Sequence, residues 1–357
     1  MKRISTLHSR PLRGFTLVEM LIVIAIIGIL MAILIPTIGS VRKSMQQSGI
    51  ALEIRNISAA LETYKQTYND YPPDGSNIVV FQRHIQVAFP RIAPAELQGL
   101  INLIDLKDAS GNSTGRTIID PAEALVFFLG GFSDDPRFPF TGEGGPLSPV
   151  RRNPLFDFAG GRLMQSTDMV NIGSAASPVL VPLSTDELNL FLFQAHLDEE
   201  IRLGRVLTAA EKMALGADIF PAYRPASSDI PLVYFDQRTY MPRPIYSFNG
   251  NLVPPAQYPA IGYTWNSDNL VGGAVRAYRS DQPRQSTAED IYPFKWHGEG
   301  TFQLISAGID NNLGNPLALL DANGNPQHKQ FPSQKLFSEG DRSNIASFSE
   351  GVLEGGR

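Results

Sequence analysis

The chain has 357 residues, a formal net charge of −5 and no cysteine. An excess of acidic side chains argues against a nucleic-acid-binding protein, whose phosphate contacts need a basic surface, so we expect no nucleic-acid partner. The lack of cysteine excludes disulfides, thiolate metal sites and a cysteine nucleophile. A chain of this length can bury enough apolar surface to fold without disulfides.

The chain begins with a short basic segment followed by an apolar segment of membrane-spanning length. Residues 1–14 contain no acid and four positive charges, at Lys2, Arg3, Arg10 and Arg13. Residues 15–35 contain one charged side chain, Glu19, and their number matches the roughly 20 residues that a helix needs to cross a bilayer. An unpaired carboxylate in such a helix costs about 2 to 3 kcal/mol, so Glu19 needs a partner.

Cleavage after Gly14 would supply such a partner. It would leave an α-amine on Phe15, four residues and one helical turn from Glu19, and it would take the net charge from −5 to about −9 by removing four cations. An ordinary secretory signal has a shorter apolar region, about 7 to 15 residues, that ends in a small-residue cleavage site. The positive charges ahead of the span place the N-terminus in the cytoplasm and the residues after Pro36 outside.

The basic leader, Gly14-Phe15, the sequence Thr16-Leu17-Val18-Glu19 and Pro36 together resemble the N-terminal signal of type IV pilins and type II secretion pseudopilins. The resemblance implies that a prepilin peptidase cleaves after Gly14 and that the new amine of Phe15 is methylated. It also implies that Glu19 meets the Phe15 amine of a neighbouring subunit and that Pro36 bends the helix. The protein would then be a single-pass protein of the bacterial inner membrane that joins other subunits on an assembly platform, with its head in the periplasm or outside the cell.

An amphipathic segment continues the helix beyond Pro36. Apolar residues recur there at steps of four and three, which places them on one stripe of a helix; they are Ile50, Ile54, Ile57, Leu61, Tyr64 and Tyr68. Pro72-Pro73-Asp74-Gly75 favours a turn, so we expect one helix from about Thr16 to Tyr68, whose stripe packs on a globular head. Residues 61–72, with their Tyr71-Pro72 pair, resemble the end of the long helix in major pseudopilins, which favours that branch over adhesive pilins.

The rest of the sequence predicts a head of mixed secondary structure. Asp120, Pro121 and Gly130 favour a short capped helix between them, and capping-box patterns predict helices at 184–203 and 208–216. Residues 134–182 are rich in proline and glycine and predict irregular structure, whereas strands are predicted at 232–235, 245–248 and 302–305.

We therefore predict an α+β, pilin-like fold, with a long N-terminal helix on a small antiparallel sheet. Its parts are a leader at 1–14, a transmembrane half-helix at 15–35, an amphipathic half-helix at 36–71 and a head at 72–357. A large insertion of helices and loops occupies about residues 90–290 of that head.

A polar, glycine-rich region near the C-terminus is the main candidate for a cofactor site. Residues 302–314 resemble the strand and calcium loop of major pseudopilins, and residues 339–345 resemble the returning half of that loop. Calcium takes six to eight oxygen ligands; the candidates here are Asp310, Asn312, Asp341 and Asn344, with Ser306 as a further contributor. Because a long spacer, 315–338, separates the halves and Arg342 lies among the candidates, a metal-free loop in which Arg342 pairs with Asp341 is the alternative.

Three other patterns predict no chemistry. Residues 321–325 begin like an EF-hand loop, but Pro326 stands where that loop needs glycine. Residues 111–115 fit G-x-S-x-G, yet their flanking sequence predicts a hairpin loop rather than a nucleophile elbow. The five histidines have no metal-binding spacing.

The sequence therefore predicts a structural subunit of a type II secretion pseudopilus-like filament, not an enzyme, with secreted cargo as a further partner. The alternatives are a surface type IV pilin for adhesion or motility and a monomeric, membrane-anchored binding domain.

Overall fold

A long N-terminal helix is the first element of the computed structural model, which describes residues 15–107, 113–148, 150–164, 170–171, 180–181, 220–240, 245–246, 252–253, 262–264, 273–283, 294–315 and 328–355. By its internal contacts the chain divides into two units, Met1–Gln46 and Gln47–Arg357. The leader, the helices predicted at 184–203 and 208–216 and the motif at 321–325 lie outside the described residues.

Helix α1 runs from Leu17 to Tyr68 and continues through Pro36, so the predicted extent is confirmed. It ends before Asn69, which has a φ of 63°. Asparagine tolerates this left-handed conformation, which commonly terminates helices. The end of the helix therefore comes from Asn69 and precedes the prolines.

The apolar stripe on the second half of α1 is buried, as predicted. Ile50, Ile54, Ile57, Leu61 and Tyr64 are each at most 2% exposed, while Tyr68 is half-buried. These side chains pack in a core with residues of the later helices and strands. Packing of this stripe, rather than helix propensity alone, holds the second half of α1.

Shorter helices follow in the second unit. Within the described residues they are α2 (Ile78–Ala88), α3 (Pro94–Ile104), α4 (Ala124–Leu129), α5 (Gln237–Tyr240) and α6 (Glu339–Ser343). Helix α4 confirms the short helix predicted after Asp120, whose Oδ1 accepts hydrogen bonds from the amides of Ala122 and Glu123. It begins at Ala124 because residues 121–123 form a turn.

Short strands make up the β structure of the second unit. In the described part of the chain they are β1 (Asp105–Lys107), β2 (Ser113–Thr117), β3 (Leu163–Met164), β4 (Val170–Asn171), β5 (Leu180–Val181), β6 (Ala222–Tyr223), β7 (Val233–Asp236), β8 (Ile245–Tyr246), β9 (Leu252–Val253), β10 (Gly262–Thr264), β11 (Ala274–Arg276), β12 (Arg279–Pro283), β13 (Phe294–Trp296), β14 (Phe302–Ser306), β15 (Gln330–Phe331) and β16 (Ile345–Ala346). Strands β7 and β14 confirm two predicted strands, and β8 confirms part of the third. Strands β1 and β2 pair antiparallel, which fits a hairpin, but residues 113–115 of the predicted hairpin loop belong to β2 and residues 111–112 lie outside the described residues.

The central sheet has the order β16-β14-β7 and is antiparallel, as predicted. Leu304 lies opposite Tyr234, and Ser306 lies opposite Ile345. A second three-stranded sheet, β13-β12-β15, contains a parallel pair, β12 with β15, which the sequence did not predict. Because β15 belongs to the spacer at 315–338, this pairing places part of the spacer beside β12.

The central sheet separates two hydrophobic cores. Tyr234, Phe302 and Leu304 pack in the core that contains the stripe of α1. Val233 and Ile305, their immediate neighbours along the strands, pack in a second core. Since successive side chains of a strand point to opposite faces, the sheet is covered on both sides.

Buried polar groups connect the end of α1 to the central sheet. The guanidinium of Arg238 donates from Nη2 to the carbonyl of Tyr71 at 2.7 Å and lies 3.0 Å from Asp70 Oδ2, and it also pairs with Asp236. Burial raises the pKa of Asp236 to about 7, an effect that Arg238 opposes. These contacts fix the turn after α1 on strand β7.

A second buried polar contact joins α1 to α2. The hydroxyl of Tyr64 lies 2.8 Å from Nε2 of His84. Burial, followed by the charge of Arg238, lowers the pKa of His84 to about 3. His84 is therefore neutral in the folded protein at physiological pH.

Acidification is expected to destabilise the protein through His84. The unfolded-state pKa of a histidine is about 6.5, so below this pH the unfolded state gains a proton that folded His84 does not bind until about pH 3. The contribution of His84 to the free energy of unfolding is therefore present above pH 6.5 and falls by about 2 kcal/mol between pH 7 and pH 5. Denaturant unfolding at both pH values should show a smaller loss in His84→Gln than in the natural protein. An equal loss in the two proteins would contradict this assignment.

Candidate functional site

The N-terminal segment exposes a continuous apolar surface. Side chains from Phe15 to Ile35 are all exposed, and Glu19 is the one charged residue among them. In the described part of the chain, α1 is the one helix long and apolar enough to cross a membrane. Gly14 lies outside the described residues, and the bend predicted at Pro36 stays a prediction.

The carboxylate of Glu19 takes part in capping the N-terminus of α1. Its Oε2 accepts hydrogen bonds from the amide and the hydroxyl of Thr16, each at 2.8 Å, and the amide of Glu19 donates to Thr16 Oγ1 at 3.2 Å. This reciprocal arrangement is a capping box, which satisfies two amides that the first helical turn leaves free. The other carboxylate oxygen, Oε1, accepts no hydrogen bond from the described residues.

The sequence already contained the signal for this capping box, in the spacing of Thr16 and Glu19, but our sequence interpretation assigned Glu19 to assembly alone. The structure gives the residue a local role within its own helix as well. Both roles are compatible because the local one uses a single carboxylate oxygen.

The C-terminal loop brings its two predicted halves together. Strand β16, which follows the second half, pairs with β14, which precedes the first. Ser343 Oγ donates a hydrogen bond to Asp310 Oδ2 at 2.5 Å. A Cβ at Gly308, whose φ is +72°, would lie 2.3 Å from the carbonyl oxygen of Ser343. The close approach of the halves therefore depends on glycine.

Asp341 is the centre of the buried part of this loop. Its Oδ1 accepts hydrogen bonds from the hydroxyl of Tyr278 at 2.7 Å and from the ammonium of Lys329. Its Oδ2 accepts from the amide and the hydroxyl of Ser338, at 2.8 and 2.6 Å. The side chains of Lys329 and Asp341 are 2% and 0% exposed. Burial lowers the pKa of Lys329, and the carboxylate of Asp341 opposes that shift.

The remaining candidate ligands do not converge on one point. Asn344 Nδ2 donates to Tyr278 Oη and to the carbonyl of Leu313, both at 3.0 Å, so Asn344 lies beside Asp341. Asp310 and Asn312 are exposed and accept hydrogen bonds from amides two residues ahead. Ser306 is buried, and its hydroxyl accepts a hydrogen bond from the amide of Gly308.

The predicted pairing of Arg342 with Asp341 is wrong. The guanidinium of Arg342 is exposed and donates to Gln334 Oε1 at 3.0 Å, whereas Asp341 pairs with Lys329. Sequence reasoning missed Lys329 because no local pattern relates it to Asp341, which lies 12 residues further along the chain. The contact between Ser338 and Asp341 was readable in principle, since S-x-x-D fits a capping box.

Gly314→Ala is expected to destabilise the loop strongly. Gly314 has a φ of +107°, and a Cβ there would lie 2.6 Å from Asp341 Oδ2. Gly300 is the matched control because it has a φ of +82° and open space where its Cβ would lie. Gly300→Ala should cost only the backbone penalty, about 1 to 2 kcal/mol, and Gly314→Ala clearly more, as measured by denaturant unfolding. Equal costs would show that Asp341 does not pack against position 314.

Comparison with known proteins found a motif near the N-terminus and similarity to curated relatives. The prokaryotic N-terminal methylation motif matches residues 10–35. The type II secretion system core protein G of Pectobacterium carotovorum subsp. carotovorum is 34% identical over 87 residues, which cover 24% of this chain and 54% of that protein. The type IV wide pilus major component PilA4 of Thermus thermophilus is 36% identical over 70 residues, which cover 20% of this chain and 53% of that protein.

The chain thus spans about half the length of the curated relatives it matches. No solved structure matches it significantly. With its prepilin-type motif, its long apolar helix and these two similarities, the chain fits the type IV pilin and type II secretion pseudopilin family.

Proposed function

We propose that this protein is a structural subunit of a type II secretion pseudopilus-like filament at the bacterial inner membrane. The observation that carries the proposal is Glu19, the single charged residue of the exposed apolar segment 15–35, which lies within the match to the N-terminal methylation motif at residues 10–35. An intramembrane carboxylate is costly without a partner. In the single chain Thr16 binds one oxygen of that carboxylate and leaves the other available.

Assembly would use the exposed apolar surface of the segment and the available carboxylate oxygen of Glu19. A prepilin peptidase would cleave after Gly14 and leave an amine on Phe15, which is then methylated. Insertion beside a neighbouring subunit would bring that amine to Glu19 and bury the apolar surfaces of both helices. The chain would remain a single-pass protein, with its head in the periplasm or outside the cell and an inner-membrane platform adding each subunit.

Three observations bear on the choice between filament types. The Tyr71-Pro72 sequence after α1 and the similarity to a secretion-system core protein favour the pseudopilus. The similarity to a wide-pilus component supports a surface pilus as the second candidate. In both cases the proposed role is structural rather than enzymatic, since the relatives are named as a core protein of a secretion system and a major component of a pilus. Secreted cargo is a proposed partner of the head.

Processing is the first test of the proposal. Mass spectrometry of the protein isolated from its own membranes should find an N-terminus at methylated Phe15. Gly14→Leu should accumulate the uncleaved precursor, because a bulky side chain obstructs the peptidase beside the scissile bond. Gly28→Leu, a matched change farther along the span where a Cβ meets no atom within 4 Å, should be cleaved normally. An intact leader in the natural protein would rule out the proposed class.

Assembly is the second test. Glu19→Ala and Glu19→Gln should insert into the membrane and be cleaved, since both make the span less polar, but neither should be incorporated efficiently into filaments. The glutamine variant keeps the size of the side chain and removes its charge. Cross-linking of subunits, followed by gel analysis of envelope and sheared surface fractions, measures incorporation. Normal filaments formed by Glu19→Gln alone would show that the negative charge has no role in assembly.

A further inference from the structure

We infer that the C-terminal loop is held by an internal cation, the side-chain ammonium of Lys329, at the place where the resemblance to major pseudopilins implies calcium. The inference concerns the stability of the second unit and does not depend on the proposed filament function. It makes the fold of this loop independent of metal.

The hydrogen-bonding positions of the Asp341 carboxylate are all occupied by groups of the protein. A carboxylate has about four lone-pair positions, and four donors occupy those of Asp341: Tyr278 Oη, Lys329 Nζ and two groups of Ser338. Calcium binding would require Asp341 to give up some of these partners. The carboxylate is fully buried, so water cannot replace the donors that are lost.

The other candidate ligands do not surround one point. Calcium needs six to eight oxygens at about 2.3 to 2.6 Å from one point. Asp310 and Asn312 are exposed and held in their own turns, while Asn344 lies at the buried end of the loop. Asn344 Oδ1 is buried without a hydrogen bond from the described residues, and it is the one candidate oxygen suited to an added cation. A single amide oxygen does not supply the six to eight ligands that calcium needs.

The pairing of strands places the ammonium of Lys329 near Asp341. Lys329 lies immediately before β15, which runs parallel to β12, and its carbonyl accepts a hydrogen bond from the amide of Arg279 at 3.0 Å. Tyr278, the residue before Arg279, contacts Asp341 through its hydroxyl. The pairing of these strands therefore carries both Tyr278 and Lys329 to the same carboxylate. Lys329, which belongs to the spacer between the two halves of the loop, thus provides the positive charge beside Asp341.

The decisive measurement is the melting temperature of the full mature protein in detergent, with calcium chloride or with EDTA. A ligand that binds only the folded state raises the melting temperature as its concentration rises above its Kd. We expect identical curves in the two buffers. A saturable rise with calcium would overturn the inference.

Amine labelling gives a second readout that needs no variant. A lysine-acylating reagent applied to the folded protein should modify exposed Lys335 and leave Lys329 unmodified, as quantified by peptide mass spectrometry. After denaturation both lysines should react. Equal labelling of the two in the folded protein would contradict the buried ion pair.

Variants then test whether the charge matters. Lys329→Met should lower the melting temperature equally in calcium and in EDTA, because it leaves a buried carboxylate without its cation. Lys335→Met, on the exposed part of the same segment, should have little effect. The double variant Lys329→Met with Asp341→Asn should show a smaller fall in melting temperature than the sum of the falls in the two single variants. Strict additivity would show that the two side chains are not paired.

Discussion

The need to pair one carboxylate inside an apolar segment is the constraint on which this molecule depends. Glu19 stands among exposed apolar side chains, and among the described residues its carboxylate has one partner, Thr16. That partner satisfies one oxygen and contributes no charge. A cationic amine created by cleavage before Phe15 would complete the pair, and the proposed export, processing and assembly would then be linked through one residue.

Buried carboxylates inside the second unit also have cationic partners. Asp236 pairs with Arg238 beside the end of α1, and Asp341 pairs with Lys329 beneath the C-terminal loop. Removing one member of such a pair is costlier than replacing both, because a buried charge is left without compensation. Asp236 belongs to β7 of the central sheet, and Asp341 lies in α6, shortly before β16 of the same sheet.

Local patterns predicted much of this architecture. The helix from 17 to 68, its buried stripe, α4, β7 and β14 follow from periodicity and capping, which act over a few residues. The parallel pairing of β12 with β15 joins segments far apart in sequence, and no local pattern relates Lys329 to Asp341, so neither contact was predictable. Arg342 was assigned to Asp341 because it is adjacent in sequence, but its side chain points to Gln334 instead. The calcium ligands and the membrane topology stay predictions.

A helical reconstruction of the assembled filament by electron cryomicroscopy tests the central claim most directly. The account predicts that a carboxylate oxygen of Glu19 lies within hydrogen-bond distance, about 3 Å, of the Phe15 amine of a neighbouring subunit. Thr16 should still contact the other oxygen of the same carboxylate. A filament in which Glu19 contacts only its own Thr16, with every Phe15 amine elsewhere, would contradict the account.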